Sequence, residues 1–291
     1  MCQTAGGFLS KIAVDNAANS VGIIGCGWLG RPLAGLLMKE NTQVMATSTR
    51  EEKAAELNQV GIDSRVLQLP QAPSQLSGHD IFSCRKLVVC ITPQLKKGRV
   101  DYPEKIAGLV AAAEKNGVEK IILLSTSSVY NGLEGEVFEE AGLDVNANKV
   151  AILAQAEQSV LNFNGLSAVL RLSGLIGPAR HPGRFLAGKK DLANPDAAVN
   201  LIHQADALGL INCLLKQKQV QGIFNGVANT RMSRQQFYQQ AALALSLPEP
   251  AFNDLDRGIT GKVINGDKGR RELSYQYQYD DLVLWMKNNE N

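Results

Sequence analysis

Short apolar runs, rich in β-branched residues, alternate with helical stripes along the chain up to residue 175. The runs at Val21–Gly25, Gln43–Thr47, Arg65–Leu69, Lys86–Ile91, Lys120–Ser125 and Ala168–Leu172 are mostly continuous rather than alternating in hydrophobicity. Strands buried on both faces of a parallel sheet read this way. Between them, Leu29, Leu33, Leu36 and Leu37 repeat at i, i+4, i+7, i+8. Ile106, Leu109, Val110 and Ala113 repeat at i, i+3, i+4, i+7, and each set marks one apolar face of a helix. The second helix is expected to stop near Asn116-Gly117, a pair suited to a helix end. This alternation predicts right-handed crossovers and an α/β fold, a doubly wound parallel sheet with helices on both faces.

The rhythm changes after Gly177-Pro178. Residues 178–198 are rich in Gly, Pro, Arg and Lys and read as loop. Shorter elements follow: an apolar stretch at Val199–Ile202, a helix over Ala205–Leu215, a strand over Gly222–Val227, and helices over Ser233–Leu245 and Asp280–Lys287. Three regions are therefore expected. Residues 1–20 form a leader, 21–177 the main domain, and 178–291 a smaller mixed α/β substrate-binding portion whose strands are available to return to the main sheet. The chain shows no internal repeat and no low-complexity tract.

Composition narrows the function classes. With 291 residues, 45% hydrophobic and 20% charged, the chain can bury a core and does not read as disordered. A net charge of +2 is too small to argue for a nucleic-acid or membrane surface. No apolar run reaches the ~18 residues of a membrane span. Residues 1–20 carry scattered apolar positions without the continuous core of a signal peptide, and read as a poorly ordered leader. Five cysteines (Cys2, Cys26, Cys84, Cys90, Cys213) are scattered without a paired motif, which fits reduced thiols in a cytoplasmic protein. His79, His181 and His203 stand far apart, so no metal site is expected. The expected partner is a small-molecule substrate, with the chain a monomer or homodimer.

Gly25-x-Gly27-x-x-Gly30 directly follows the first strand and opens a helix, the context in which this spacing marks a Rossmann dinucleotide loop. Gly25 permits the tight turn, Gly27 lets the backbone approach a pyrophosphate, and Gly30 lets the helix pack closely on the sheet. Trp28 and Leu29 complete the loop. The helix N-terminus offers free N–H groups and partial positive charge to the phosphates. The cofactor is thus NAD or NADP, and the end of the second strand bears on which. An acid there would hold the adenosine ribose and favour NAD. Here the strand runs into Thr47-Ser48-Thr49-Arg50, with no acid before Glu51. Ser48, Thr49 and the Arg50 guanidinium suit a 2′-phosphate and favour NADP, whereas Arg50 capping the turn or stacking on adenine would serve either cofactor. Thr92, after the fourth strand, is also expected at the cofactor. Cys26 sits where a helix N-terminus would lower its pKa, or is simply a small side chain that fits the loop.

The glycine loop, the segment Leu123-Leu124-Ser125-Thr126-Ser127-Ser128-Val129-Tyr130, and Arg171-Leu172-Ser173-Gly174-Leu175-Ile176-Gly177-Pro178 together resemble the extended short-chain dehydrogenase/reductases. That is the NAD-dependent epimerase/dehydratase group. The stretch 177–185 resembles an atypical bacterial branch of it. The resemblance runs from about Val21 into the C-terminal region. It implies that Thr126, four residues before the tyrosine of Val-Tyr, is the catalytic hydroxyl that holds the substrate's reacting oxygen. The alternative is a strand-end hydroxyl that satisfies local backbone.

The resemblance also implies a Tyr-x-x-x-Lys pair on the next helix, where the cation brings the phenol pKa towards neutrality. That pair is missing. Lys149 stands at the tyrosine position and Leu153 at the lysine position, and no tyrosine lies between Tyr130 and Tyr238. Three substitutes come into view. Lys149 reads as a desolvated base or an ordinary helix lysine, Tyr130 as an acid or a pocket wall, and Tyr102 as a third group near the substrate.

Arg180, His181, Arg184, Lys189 and Lys190 fall where family members begin their substrate domain. They read as a clamp for an anionic substrate, such as a nucleotide-sugar diphosphate or a carboxylate, or as a solvated basic loop. His203 and Asp206 match the family's His-x-x-Asp and read as a buried structural pair. Asn225-Gly226 and Lys268–Leu273 read as scaffold. Two functions stand. One is an NAD(P)-dependent oxidoreductase or epimerase/dehydratase-type enzyme on a polar, sugar-nucleotide-like substrate. The other is an NADP-binding redox sensor or interaction protein with little or no turnover. Thr126 and the basic loop support the first; the missing pair supports the second.

Overall fold

The structure is a computed structural model, in which residues 19–219, 221–255 and 257–288 are described. The leader expected over 1–20 lies outside the described residues as far as residue 18, and the first strand already begins at Ser20. Strands run over β1 (Ser20–Ile24), β2 (Gln43–Ser48), β3 (Asp63–Val66), β4 (Lys86–Val89), β5 (Lys120–Thr126) and β6 (Gly135–Val137). They continue over β7 (Leu166–Leu172), β8 (Gly174–Ile176), β9 (Leu201–His203), β10 (Gly222–Gly226) and β11 (Lys262–Ile264). Helices are α1 (Gly30–Lys39), α2 (Glu51–Gln59), α3 (Pro73–Ser77), α4 (Tyr102–Lys115) and α5 (Asn148–Leu161). The later ones are α6 (Gly183–Leu186), α7 (Gln204–Lys216), α8 (Arg234–Ala244), α9 (Asp267–Glu272) and α10 (Leu282–Lys287).

Seven strands form one parallel sheet in the order β10-β7-β5-β4-β1-β2-β3, with helices on both sides, the doubly wound arrangement that the alternation predicts. Two small parallel pairs, β6 with β11 and β8 with β9, stand apart from it. The described chain divides into two compact units. One takes in the residues through Leu124 together with Gln155–Val169 and Lys218–Gly222; the other takes in Ser125–Ala154, Leu170–Gln217 and the residues from Ile223 on.

In the first unit every residue of β1 is buried, which is why its sequence shows no alternation. The α1 stripe buries Leu33, Ala34 and Leu37, and α4 buries Ile106, Leu109, Val110 and Ala113. Each buried Leu, Ile or Val among them contributes about 1.5–3 kcal/mol on transfer from water, and the alanines less. Asn116 caps α4, and Gly117 then takes a φ of +70°, so the helix ends where expected. One strand is displaced: β3 covers Asp63–Val66, not Arg65–Leu69. The apolar signal of Leu67 and Leu69 comes from lining a groove and not from sheet pairing.

In the second unit, a core of Ile176, Leu201, Phe237, Leu282, Trp285 and Met286 joins β8, β9, α8 and α10. Ser233 starts α8 through a capping box with Gln236, which satisfies two backbone N–H groups at the helix start. Asp206 on α7 is fully buried and accepts from the Tyr275 hydroxyl (3.0 Å) and the Gln278 (2.6 Å) and Tyr279 (3.0 Å) N–H groups. A carboxylate so bonded fastens the C-terminal segment to α7.

Candidate functional site

The glycine loop of the first unit has the geometry that its spacing predicts. Gly25 takes a φ of +93°, a conformation costly for any residue with a Cβ. A Cβ on Gly30 would lie 2.8 Å from the Gly25 carbonyl oxygen and 3.2 Å from Ile23, so only glycine lets α1 start this close to the strand. A Cβ on Gly27 would meet nothing within 4 Å, and that open face is where a phosphate can approach the backbone. Leu29 is buried as the N-cap residue of α1, and Trp28 is half-buried.

A groove of about 420 Å³ opens from this loop. Gly25, Gly27, Ser48, Thr49, Arg50 and Thr92 all line it, and among the described residues no Asp or Glu does. Thr47, the first hydroxyl of the Thr47-Ser48-Thr49-Arg50 segment, holds the loop in place. Its hydroxyl accepts from Gly25 N–H at 3.1 Å, and its carbonyl accepts from Cys26 N–H at 2.8 Å. Its hydroxyl at a strand end was the available signal. Lys53, Arg99 and Lys105 add three cations to the lining beside Arg50. Lys105 also bonds Asp101 at 2.8 Å. These three are spread over 53 positions and form no cluster in the sequence. Cys26 overturns the reading of a thiol activated at a helix end. Burial raises its pKa to about 11, and Arg31 and Lys53 offset this only in part.

The hydroxyl segment belongs to the second unit. Thr126 ends β5, and its Oγ1 accepts from the Ser128 N–H at 3.2 Å while its hydroxyl donates to Ser128 Oγ at 3.2 Å. Its local capping role is therefore real, and the half-buried hydroxyl sits in a tight turn of three hydroxyls. Tyr130 lies at the far end of that turn and is fully buried. Its hydroxyl donates to Asn225 Oδ1 (2.8 Å) and accepts from Arg171 Nη1 (2.7 Å), with the guanidinium carbon 4.8 Å from the ring centroid. Arg171 donates in turn to the Glu139 carbonyl (3.1 Å), and the Glu139 carboxylate accepts from Asn225 N–H (2.9 Å). Burial pushes the phenol pKa up despite Arg171 beside it, the opposite of what an acid poised at neutrality needs. This geometry makes Tyr130 a member of a buried hydrogen-bonded network.

The other candidates separate. Lys149, the second residue of α5, is exposed, and Leu153, at the family's lysine position, is 1% exposed and packed in the core. Tyr102 is buried at the start of α4, and desolvation raises its pKa well above the ordinary phenol. The basic loop is divided between core and surface. His181 is buried, stacks on Trp285 at 5.4 Å, and its Nδ1 accepts from Gly183 N–H at 3.1 Å. Arg180 and Arg184 are exposed. His203 is buried against Tyr279 and Trp285, and its Nδ1 accepts from Ala205 N–H at the start of α7. A cavity of about 490 Å³ lies in this unit, lined by apolar side chains such as Val199, Val227 and Met232 together with Asn200, Asn229, Thr230, Arg231 and Asn265. Sequence reasoning gave these no role.

No family model matches the chain. It is similar over 271 residues to Protein YeeZ of Escherichia coli strain K12, with 36% identity covering 91% of this chain and 97% of that protein. Among solved structures it is similar to the UDP-glucose 4-epimerase with UDP-glucose from Thermotoga maritima, at a TM-score of 0.74 and 14% identity over 92% of this chain and 96% of that one. It is likewise similar to the UDP-glucuronic acid 4-epimerase from Bacillus cereus in complex with NAD, at a TM-score of 0.73 and 14% identity over 92% and 96% of the two chains. At such identities the likeness to the two epimerases carries the fold alone.

Proposed function

The chain belongs to the YeeZ-like branch of the extended short-chain dehydrogenase/reductases, and on that premise we propose that it is an NADP-dependent oxidoreductase of the epimerase/dehydratase type. The observation that carries the proposal is the groove: a glycine loop open at Gly27 and a lining that has, among the described residues, no carboxylate and four cations. Of these, Lys53 pairs with Glu56, and Arg99 and Lys105 with Asp101, leaving Arg50 at the end of the second strand. A dinucleotide with an extra phosphate suits that lining better than one whose ribose seeks an acid. Gly25, Gly27 and the start of α1 hold the pyrophosphate, Ser48, Thr49 and Arg50 the adenosine end, and Thr92 the lining beyond. When bound, the nicotinamide ring supplies or takes a hydride at a substrate carbon. The chain's own part is to hold and orient the substrate oxygen, and that role falls to the Thr126 hydroxyl.

The substrate class is a polar, anionic molecule of sugar-nucleotide type. The two solved relatives are named as epimerases of UDP-sugars, and the cavity of the second unit offers the amides of Asn200, Asn229 and Asn265, the Thr230 hydroxyl, and Arg231 and Arg270 beside the carboxylates of Glu136, Asp196 and Asp267. The exposed Arg180 and Arg184 suit an anion, whereas His181 packs into the core. A second reading, a cofactor-binding sensor without turnover, is favoured by the buried Leu153 in place of the family's lysine.

Titration of the protein with NADPH and with NADH, followed by nicotinamide fluorescence, tests the cofactor. NADPH is expected to bind at least about tenfold tighter, the worth of one charge-assisted contact. Tighter binding of NADH, or of neither, overturns the proposal. Bound nicotinamide that never changes redox state with UDP-glucose, UDP-glucuronic acid or simple carbonyl compounds favours the sensor.

A further inference from the structure

Lys262 belongs to none of the motifs above, yet its side chain meets the hydroxyl turn. It opens β11, opposite Gly135 of β6. Asn200 clamps it there, donating from Nδ2 to the Lys262 carbonyl (2.9 Å) and accepting from Ile264 N–H at Oδ1 (2.8 Å). From this fixed base Nζ donates to the Ser127 carbonyl at 3.1 Å and to Asn131 Oδ1 at 2.7 Å. Those two acceptors bracket the turn that begins at Thr126. One of the three ammonium protons has no protein acceptor among the described residues.

A half-buried ammonium held only by neutral acceptors is a costly way to fasten a turn, because burial penalises charge that no carboxylate balances. A neutral donor would tie the same carbonyl without that penalty. On the paired strand Glu136 is the charged group, and its carboxylate accepts from Asn265 at 2.9 Å; Glu134 just before it is exposed. Desolvation lowers the Lys262 pKa, with no opposing charge to restore it. Unbalanced buried charge of this kind concentrates where developing negative charge must be stabilised.

We propose that Lys262 is the positioning cation of the active site: it fixes the Thr126–Ser128 turn through Ser127 and Asn131 and places positive charge beside the oxygen that Thr126 receives. The inference rests on the reading of Thr126 as the substrate hydroxyl. It supplies from β11 the positive charge that is absent at Leu153 on α5.

The test compares the full-length wild type with Lys262→Met and Lys262→Arg. Lys262→Met is expected to keep its melting temperature and NADPH affinity. Its kcat with UDP-glucose or UDP-glucuronic acid as probe falls about 100-fold while KM changes less than about threefold, the pattern of a contact made in the transition state. Lys262→Arg restores most of the loss. An unchanged kcat in Lys262→Met, with or without a fall in melting temperature, overturns the proposal and leaves a structural strap.

A second readout needs no substrate. Competitive acetylation of the folded wild type with acetic anhydride, read by peptide mass spectrometry across pH, is expected to label Lys262 at lower pH than the chain's exposed lysines. Labelling that follows those lysines, or none at all, overturns the inference. If wild type binds no dinucleotide, the oxidoreductase reading fails on its own, and the acetylation profile still decides for or against an unbalanced cation at the turn.

Discussion

The glycine loop and the hydroxyl turn both stand where a sheet strand ends, but they are specified in different currencies. The loop is fixed by backbone: a positive φ at Gly25, a close approach at Gly30, and N–H groups tied to Thr47 on the next strand. All of this lies within 28 residues, from Ser20 to Thr47. The turn is fixed by side chains drawn from far apart. Tyr130 rests on Arg171 and Asn225, and Ser127 rests on Lys262. A site written in backbone geometry tolerates few residue types at its glycines and so leaves a motif. A site written in long-range side-chain contacts leaves separate residues without a spacing rule.

The largest effect is expected where backbone leaves no room. Gly30→Val places a branched Cβ against the Gly25 carbonyl oxygen, 2.8 Å away, and against Ile23. Neither can retreat, because one is loop backbone and the other a buried strand residue. NADPH affinity should fall at least about 100-fold, with about 1–3 kcal/mol of stability lost to overpacking. Fluorescence titration and urea unfolding measure the two. Wild-type affinity in this variant would show that the loop is not set by close approach, and the contrast between the two regions would fail there.

The turn is probed next by Tyr130→Phe. The substitution keeps the buried ring beside Arg171, whose Nη1 still donates to the Glu139 carbonyl, but leaves Asn225 Oδ1 without the donor it had in Tyr130. A buried group so orphaned costs about 1–3 kcal/mol. Chemical denaturation should show that loss, while kcat in the remaining folded enzyme stays within about threefold, since a residue that acts only through packing changes the population of folded enzyme and not its transition state. Full stability with abolished turnover would make Tyr130 an acid after all and move the turn's chemistry back into its local motif.

This contrast also explains what the sequence discloses. The doubly wound sheet, its crossovers and the dinucleotide loop follow from continuous apolar runs and a short glycine spacing, both local signals. The β3 boundary misleads because Leu67 and Leu69 are apolar for a groove and not for a strand. The β6–β11 pair is three residues long on each side and joins segments 127 positions apart, so no periodicity announces it. Lys262 is invisible for the same reason: its importance lies in Ser127 and Asn131, which only the fold brings to it. The basic loop misleads in the other direction. Proximity in sequence suggests that Arg180, His181 and Arg184 act together, but Trp285 takes the histidine into the core and the arginines stay outside.

The smallest expected effect falls on a side chain of the glycine-loop region whose role is read from chemistry and not from geometry. Arg50 lines the groove, is exposed, and stands at the N-cap of α2 without a side-chain capping bond. Arg50→Ala therefore removes no helix cap, and melting temperature should not move. If the guanidinium serves a 2′-phosphate, NADPH affinity falls about tenfold, near 1.4 kcal/mol, because an exposed contact is screened by solvent. NADH lacks that phosphate, and its affinity should stay within about twofold. Equal weakening of both cofactors would instead place Arg50 on the adenine, a contact they share, and NADP preference would then have to come from Lys53 or the hydroxyls of Ser48 and Thr49. The selectivity ratio separates the two outcomes, since only a contact to the phosphate changes one cofactor without the other.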